Sequence, residues 1–122
     1  MFDKIEVKKH YIHLSPDKND KSLPLLVLSH GSGGMSDIDL DFAKIACANG
    51  YQCAITDHYT RRGIEYQIWN ENEKFIPSFE DRAQDILDVL DDYDTNKRLV
   101  FGISAGGTAA INCSNQFDKT FT

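Results

Sequence analysis

Leu99-Val100-Phe101-Gly102-Ile103-Ser104-Ala105-Gly106-Gly107 decides the fold: an apolar strand runs into a glycine-flanked serine, and the small residues from Thr108 to Ile111 follow as a helix. This is the strand–serine–helix pattern G-x-S-x-G of a nucleophile elbow. Such a turn leaves no room for side chains two residues to either side of the serine, hence Gly102 and Gly106. Ser104 is lifted clear of the sheet at the foot of the helix, where the backbone N–H of Ala105 can face negative charge on an attacked carbonyl oxygen. An ordinary glycine-rich turn remains the bland alternative, since the pattern arises by chance in roughly one chain in twenty-five of this length. The apolar run before it and the small-residue helix after it favour the elbow.

A second motif lies upstream. Leu23-Pro24-Leu25-Leu26-Val27-Leu28-Ser29 is a continuous apolar run, the pattern of a strand covered on both faces, and it ends in His30-Gly31-Ser32-Gly33-Gly34. A glycine-rich loop after an earlier strand can supply a second oxyanion N–H, as HGGG-type loops do. Gly31 and Ser32 are the expected donors, because glycine lets backbone approach closely. A loop that merely turns sharply is the alternative.

Together these residues resemble the α/β-hydrolase superfamily, and within it the dienelactone-hydrolase-like branch. The resemblance rests on Leu28 to Gly34, on Thr56-Asp57-His58 with Arg61-Arg62-Gly63, and on Gly102 to Gly107, and it runs from about Leu23 to Ile111. It implies an α/β fold with a mostly parallel sheet flanked by helices. It also implies hydrolysis of a small-molecule carboxylic ester or related acyl bond, with no cofactor. The founding dienelactone hydrolases use cysteine where this chain has Ser104, so their substrate is not carried over.

The superfamily's triad runs serine, acid, histidine along the chain. Eighteen residues follow Ser104 here, none of them histidine and only Asp118 acidic, whereas His10, His13, His30 and His58 all precede it. A serine without a base is a poor nucleophile at neutral pH. The expectation is a single incomplete domain, residues 1–122, forming the N-terminal part of a longer enzyme; a shortened product without a conventional triad is the other reading. His30 reads as a brace for the oxyanion loop and His58 as lining a pocket mouth, in preference to either acting as base. His10 and His13 read as strand surface.

Lys4–Lys9 and Tyr11–Ser15 alternate apolar and polar residues, which predicts an antiparallel entry hairpin or a bent strand. A helix is expected near Ile38–Asn49, with Ile38, Phe42, Ile45 and Ala46 as its buried stripe, and a strand over Tyr51–Thr56. Arg61, Arg62, Tyr66 and Trp69 fall in a polar and aromatic connection that could shape a substrate pocket, or be a solvated loop. Ser78 caps the next helix, which buries Ala83, Ile86, Leu87 and Leu90 and turns Asp81, Asp85, Asp88, Asp91, Asp92 and Asp94 to solvent. A chain stopping near residue 122 would leave the serine strand as an exposed apolar edge, inviting self-association.

Composition bounds the rest. A net charge of −6 with no basic face argues against nucleic-acid binding. No apolar stretch approaches the roughly twenty residues of a membrane span, and the N-terminus lacks a signal-peptide core. Cys47, Cys53 and Cys113 have no C-x-x-C spacing and read as free thiols in a reducing, cytoplasmic compartment. No metal-ligand spacing is evident. Two other functions stay open. One is a catalytically silent α/β-hydrolase-like binding module. The other is a dinucleotide-binding oxidoreductase, in which Gly31-Ser32-Gly33-Gly34-Met35-Ser36 and Asp57 would mimic a Rossmann fingerprint although the third glycine is Ser36.

Overall fold

A computed structural model describes residues 4–7, 10–64 and 77–122. Six strands form one sheet: β1 (Lys4–Val7), β2 (Tyr11–Ser15), β3 (Leu25–Ser29), β4 (Gln52–Thr56), β5 (Arg98–Gly102) and β6 (Lys119–Phe121), in the order β1-β2-β4-β3-β5-β6. The entry hairpin is antiparallel, as the alternation predicts, and β2 also runs antiparallel to β4. From β4 through β3 and β5 to β6 every pairing is parallel.

Parallel strands need covering on both faces, and the helices supply the cover. Helix α1 (Asp37–Ala48) lies on one face, packing Ala43 and Cys47 against Leu14, Leu28, Cys53 and Ile55. Helices α2 (Phe79–Leu90) and α3 (Ala105–Asn112) cover the other, where Ile86, Val89, Ala109 and Ala110 meet Leu25, Val27, Ala54 and Val100. The period-two alternation of β3 sends Leu25 and Val27 to one layer and Leu28 to the other.

Three expectations change. Of the expected stripe, Ala46 is buried and Phe42 rests on the Phe101 ring of β5 at 4.9 Å between centroids, but Ile38 and Ile45 turn outward, each 59% exposed. The inward face is Asp39, Ala43, Ala46 and Cys47, one residue round the helix. A capping box sets that rotation: the Asp39 carboxylate turns back onto the Ser36 N–H at 2.9 Å and is buried in doing so. Asp85, expected on the solvated side of α2, is 1% exposed, for reasons given with the site. Finally, β5 is not an edge. β6 pairs with it in register Leu99↔Lys119 to Phe101↔Phe121, and Asp118 anchors the approach through Arg98 N–H at 2.8 Å.

All three cysteines are buried and free. Among the described residues no helix is long and apolar enough to cross a membrane.

The β5–α3 turn is held by contact between backbones. A Cβ at Gly106 would lie 2.0 Å from the Ser29 carbonyl oxygen, and one at Gly102 would lie 2.3 Å from the Gly106 carbonyl oxygen. Neither neighbour is a flexible side chain that could move aside. Gly106→Ala is therefore expected to lower unfolding free energy by more than about 4 kcal/mol or to prevent folding. Gly33→Ala, where nothing lies within 4 Å of the added carbon, should change it by less than about 1 kcal/mol in denaturant titration. Equal effects of the two would contradict the close approach.

Candidate active site

The sheet has a topological switch point at β3. The chain leaves β3 through α1 for β4 on one side, while β5 pairs on the other, so the loops after β3 and β5 part above the strand ends and leave a crevice there. Three segments meet at that edge: His30–Gly34 after β3, Asp57–Gly63 after β4, and Ile103–Ser104 after β5.

Ser104 is the only non-glycine residue with positive φ among the described residues, at φ 53° and ψ −118°. Such a conformation costs on the order of 1–3 kcal/mol and persists only where its surroundings impose it. Here Ile103 N–H donates to Ser29 O at 3.0 Å, Gly106 N–H to Ile103 O at 2.9 Å and Gly107 N–H to Ser104 O at 2.8 Å. The turn is tied to β3 and to the first turn of α3, with Ser104 exposed between them. Gly31 lies against it: a Cβ there would be 3.5 Å from Ser104 Cβ. Among the described residues nothing accepts from the N–H of Ala105, Gly31 or Ser32. A cavity of about 240 Å³ borders the loop, lined by Gly31, Gly33, Gly34, Ser36, Ile38 and Ile103. A larger one, about 460 Å³, surrounds Tyr11, His13, Gln52 and Tyr93. Gln52 begins β4, so that cavity opens at the opposite edge of the sheet from Ser104 and holds no part of the elbow.

His30 is fully buried; its Nε2 accepts from His58 N–H at 3.0 Å, so its Nδ1 carries the proton and donates to Gly31 O at 2.7 Å. Its ring thus ties Gly31 to the end of β3. His58 does not line a pocket mouth. It is fully buried, with Nδ1 donating to the Asp85 carboxylate at 2.7 Å and Nε2 accepting from Ser29 Oγ at 2.8 Å. This Ser29–His58–Asp85 run has the connectivity of a catalytic triad, but Ser29 is 0% exposed and no substrate reaches it. His13 is not surface either: it is buried against Gln52 Oε1 at 3.3 Å. His10 O accepts from Asp57 N–H beyond β4, three strand spacings from β5, roughly 14 Å at about 4.8 Å each.

Burial holds His30 well below its ordinary range, down to about 4, with the neighbouring His58 adding to the effect. Burial also lowers His58, and the Asp85 carboxylate only partly offsets it. Asp85 itself is lowered; His58 and Arg62, hydrogen-bonded to it, overcome its burial.

Arg61 and Arg62 sit at this carboxylate. Arg62 Nη1 meets Asp85 Oδ2 at 2.7 Å and Nη2 meets Oδ1 at 3.0 Å, while Arg61 Nη1 reaches Oδ1 at 2.9 Å. Their observed partner is thus Asp85, which explains its burial: a carboxylate enters the interior only when paired. Tyr66 and Trp69 lie outside the described residues. Sequence reasoning missed Ser29, Tyr59, Arg82 and Asp85. Arg82 is fully buried on α2, with Nη1 donating to His30 O at 2.9 Å and Nη2 to Tyr59 Oη at 3.0 Å. The one available signal was an arginine in the apolar register of α2, beside Ala83 and Ile86. No group of metal-binding side chains occurs among the described residues.

No protein-family profile and no curated protein matches this sequence. Solved structures do. A proposed dienelactone hydrolase from Klebsiella pneumoniae subsp. pneumoniae superposes with a TM-score of 0.75 at 18% identity, over 90% of this chain and 51% of that one. Brefeldin A esterase, a bacterial homologue of human hormone sensitive lipase, gives 0.65 at 17% identity, over 96% and 38%. A dienelactone hydrolase-like promiscuous phosphotriesterase from metagenomic libraries gives 0.62 at 16% identity, over 84% and 46%. The chain spans about half or less of the length of these structures. Its fold is that of the N-terminal part of an α/β-hydrolase.

Proposed function

We propose that this chain carries the nucleophile and oxyanion-binding half of a serine hydrolase acting on a carboxylic ester or related acyl bond. The observation that carries this is the positive φ of Ser104, held between β3 and α3 with its side chain in the open. Ser104 Oγ attacks the acyl carbon. The N–H groups of Ala105 and of the Gly31–Ser32 loop receive the developing oxyanion, each worth about 3 kcal/mol of transition-state stabilisation. The tetrahedral intermediate collapses by breaking the ester C–O bond, the alcohol leaves with the proton the base took from Ser104, and water then hydrolyses the acyl-enzyme to release the acid.

The base is not one of this chain's four histidines: His30 and His58 use both ring nitrogens, and His10 and His13 lie elsewhere. The reaction therefore needs an imidazole from polypeptide outside these residues. The same observation favours a second reading, a catalytically silent module that keeps the elbow for its fold. The dinucleotide reading gains nothing, because the Asp39 carboxylate already occupies the Ser36 N–H where a pyrophosphate would sit at the start of α1.

Added imidazole separates the two readings. Fluorophosphonate labelling of the folded chain should be slow and should accelerate roughly tenfold or more with imidazole, as expected when a missing general base is replaced from solution. Ser104→Ala should abolish it. A folded chain that stays unlabelled at every imidazole concentration would be the silent module.

The site should also lose its scaffold in acid. His30 and His58 are neutral in the fold, with pKa values lowered from about 6.5, and Arg62, Arg82, Asp57 and Asp85 are the charges facing them. As pH falls through 6.5 the unfolded chain binds protons that the folded chain refuses, until about 4 for His30. Stability therefore drops with falling pH, by up to about 1.4 kcal/mol per unit for each histidine. Urea titrations at pH 7 and pH 5 should show it, and identical midpoints would refute neutral, buried imidazoles.

A further inference from the structure

We infer that Arg82 and Tyr59 are the positioning residues of the oxyanion loop, one buried guanidinium and one phenol that together aim the N–H groups of Gly31 and Ser32 at Ser104. The inference rests on the proposed hydrolase reading for its chemistry, though not for its geometry.

In a trans peptide unit the carbonyl and the following N–H point in opposite directions. A loop whose carbonyls are all tied to the protein behind it must therefore present its N–H groups in front. That is the pattern after β3. His30 O accepts from Arg82 Nη1 at 2.9 Å, which directs the Gly31 N–H away. Gly31 O accepts from His30 Nδ1 at 2.7 Å and from Gly34 N–H at 3.2 Å, which directs the Ser32 N–H away. Ser32 O accepts from Tyr59 Oη at 2.5 Å. Among the described residues the N–H groups of Gly31 and Ser32 have no acceptor, and Gly31 stands against Ser104.

Arg82 controls both ends of this run. One arm of its fork holds His30 O; the other, at 3.0 Å, holds the Tyr59 hydroxyl that reaches Ser32 O. The Tyr59 ring is itself fixed, packed on the His30 ring at 4.8 Å between centroids, with its own N–H on Asp57 Oδ1 at 3.0 Å. Arg82 is fully buried, and no salt bridge to a carboxylate involves it among the described residues. A buried cation held mainly by a carbonyl and a phenol is a costly arrangement for packing alone. Its geometry matches a fork that two divergent acceptors require, which a lysine cannot reproduce.

Tyr59→Phe and Arg82→Lys test this. The first removes a single oxygen and leaves the ring; it keeps the test valid should the second fail to fold. Imidazole-assisted fluorophosphonate labelling should fall roughly ten- to a hundredfold in the maximal rate, less than the roughly hundred- to thousandfold loss when a donor is removed outright, with little change in the probe concentration giving half that rate. In ¹⁵N spectra of the same folded variants, the Gly31, Ser32 and Gly33 amides should shift and exchange faster, while amides of β3 and β5 stay in place. Wild-type labelling rates together with unmoved loop amides would overturn the proposal. Absence of labelling in the wild-type chain would count against the hydrolase reading alone, because the amide measurements still report whether the tethers aim the loop.

Discussion

Everything at the candidate site depends on how closely one backbone approaches another. The α-carbon of Gly106 lies against the carbonyls of Ser29 and His30, and Gly102 lies against Gly106 and Gly107. This packs the first turn of α3 directly on the end of β3, and the Ile103 N–H to Ser29 O bond closes it. Ser104 has no relaxed backbone conformation under that geometry, so it takes φ 53°. The same approach brings the loop after β3 beside the serine. One contact between backbones thus brings Ser104 and the Gly31 loop together, while the side chains of His30, Arg82 and Tyr59 hold the loop's carbonyls.

Behind that contact is a polar interior uncommon for so small a domain. Two neutral imidazoles, a guanidinium and a carboxylate are all buried within hydrogen-bonding distance of one another's partners. The tautomers follow from the acceptors: Asp85 fixes the proton of His58 on Nδ1, and the His58 N–H fixes that of His30 on Nδ1. Each ring then completes its bonds without charge. Satisfying both rings in this way removes both histidines from acid–base work, although the buried Nε of Arg82 keeps no hydrogen-bond partner among the described residues. An imidazole cannot both hold the loop and shuttle a proton for Ser104.

The elbow and the glycine loop were legible in the sequence because they are demands of the backbone, and Gly102, Gly106 and Gly31 are the residues that meet them. The alternation of Tyr11–Ser15 and the apolar runs of β3 and β5 were legible for the same reason, since a sheet imposes a period. The Ser29–His58–Asp85–Arg62 cluster was not. Its members come from separate segments, Ser29 and His58 standing 29 positions apart and His58 and Asp85 27, and each alone reads as a solvated polar side chain. The outward turn of Ile38 and Ile45 was not legible because Ile38, Phe42, Ile45 and Ala46 form as good a stripe as Ala43, Ala46 and Cys47, and a capping carboxylate decided between them. β6 was missed because three residues carry too little pattern.

A contact between backbones has a consequence for divergence over time. It places a condition on two glycines and none on the volume or polarity of other side chains. The sequence around it can change almost entirely while the turn stays put. A shared fold at 15–18% identity is compatible with such a constraint. The side chains that would recognise a substrate are under no comparable geometric restraint, so one turn can serve lineages with unrelated substrates.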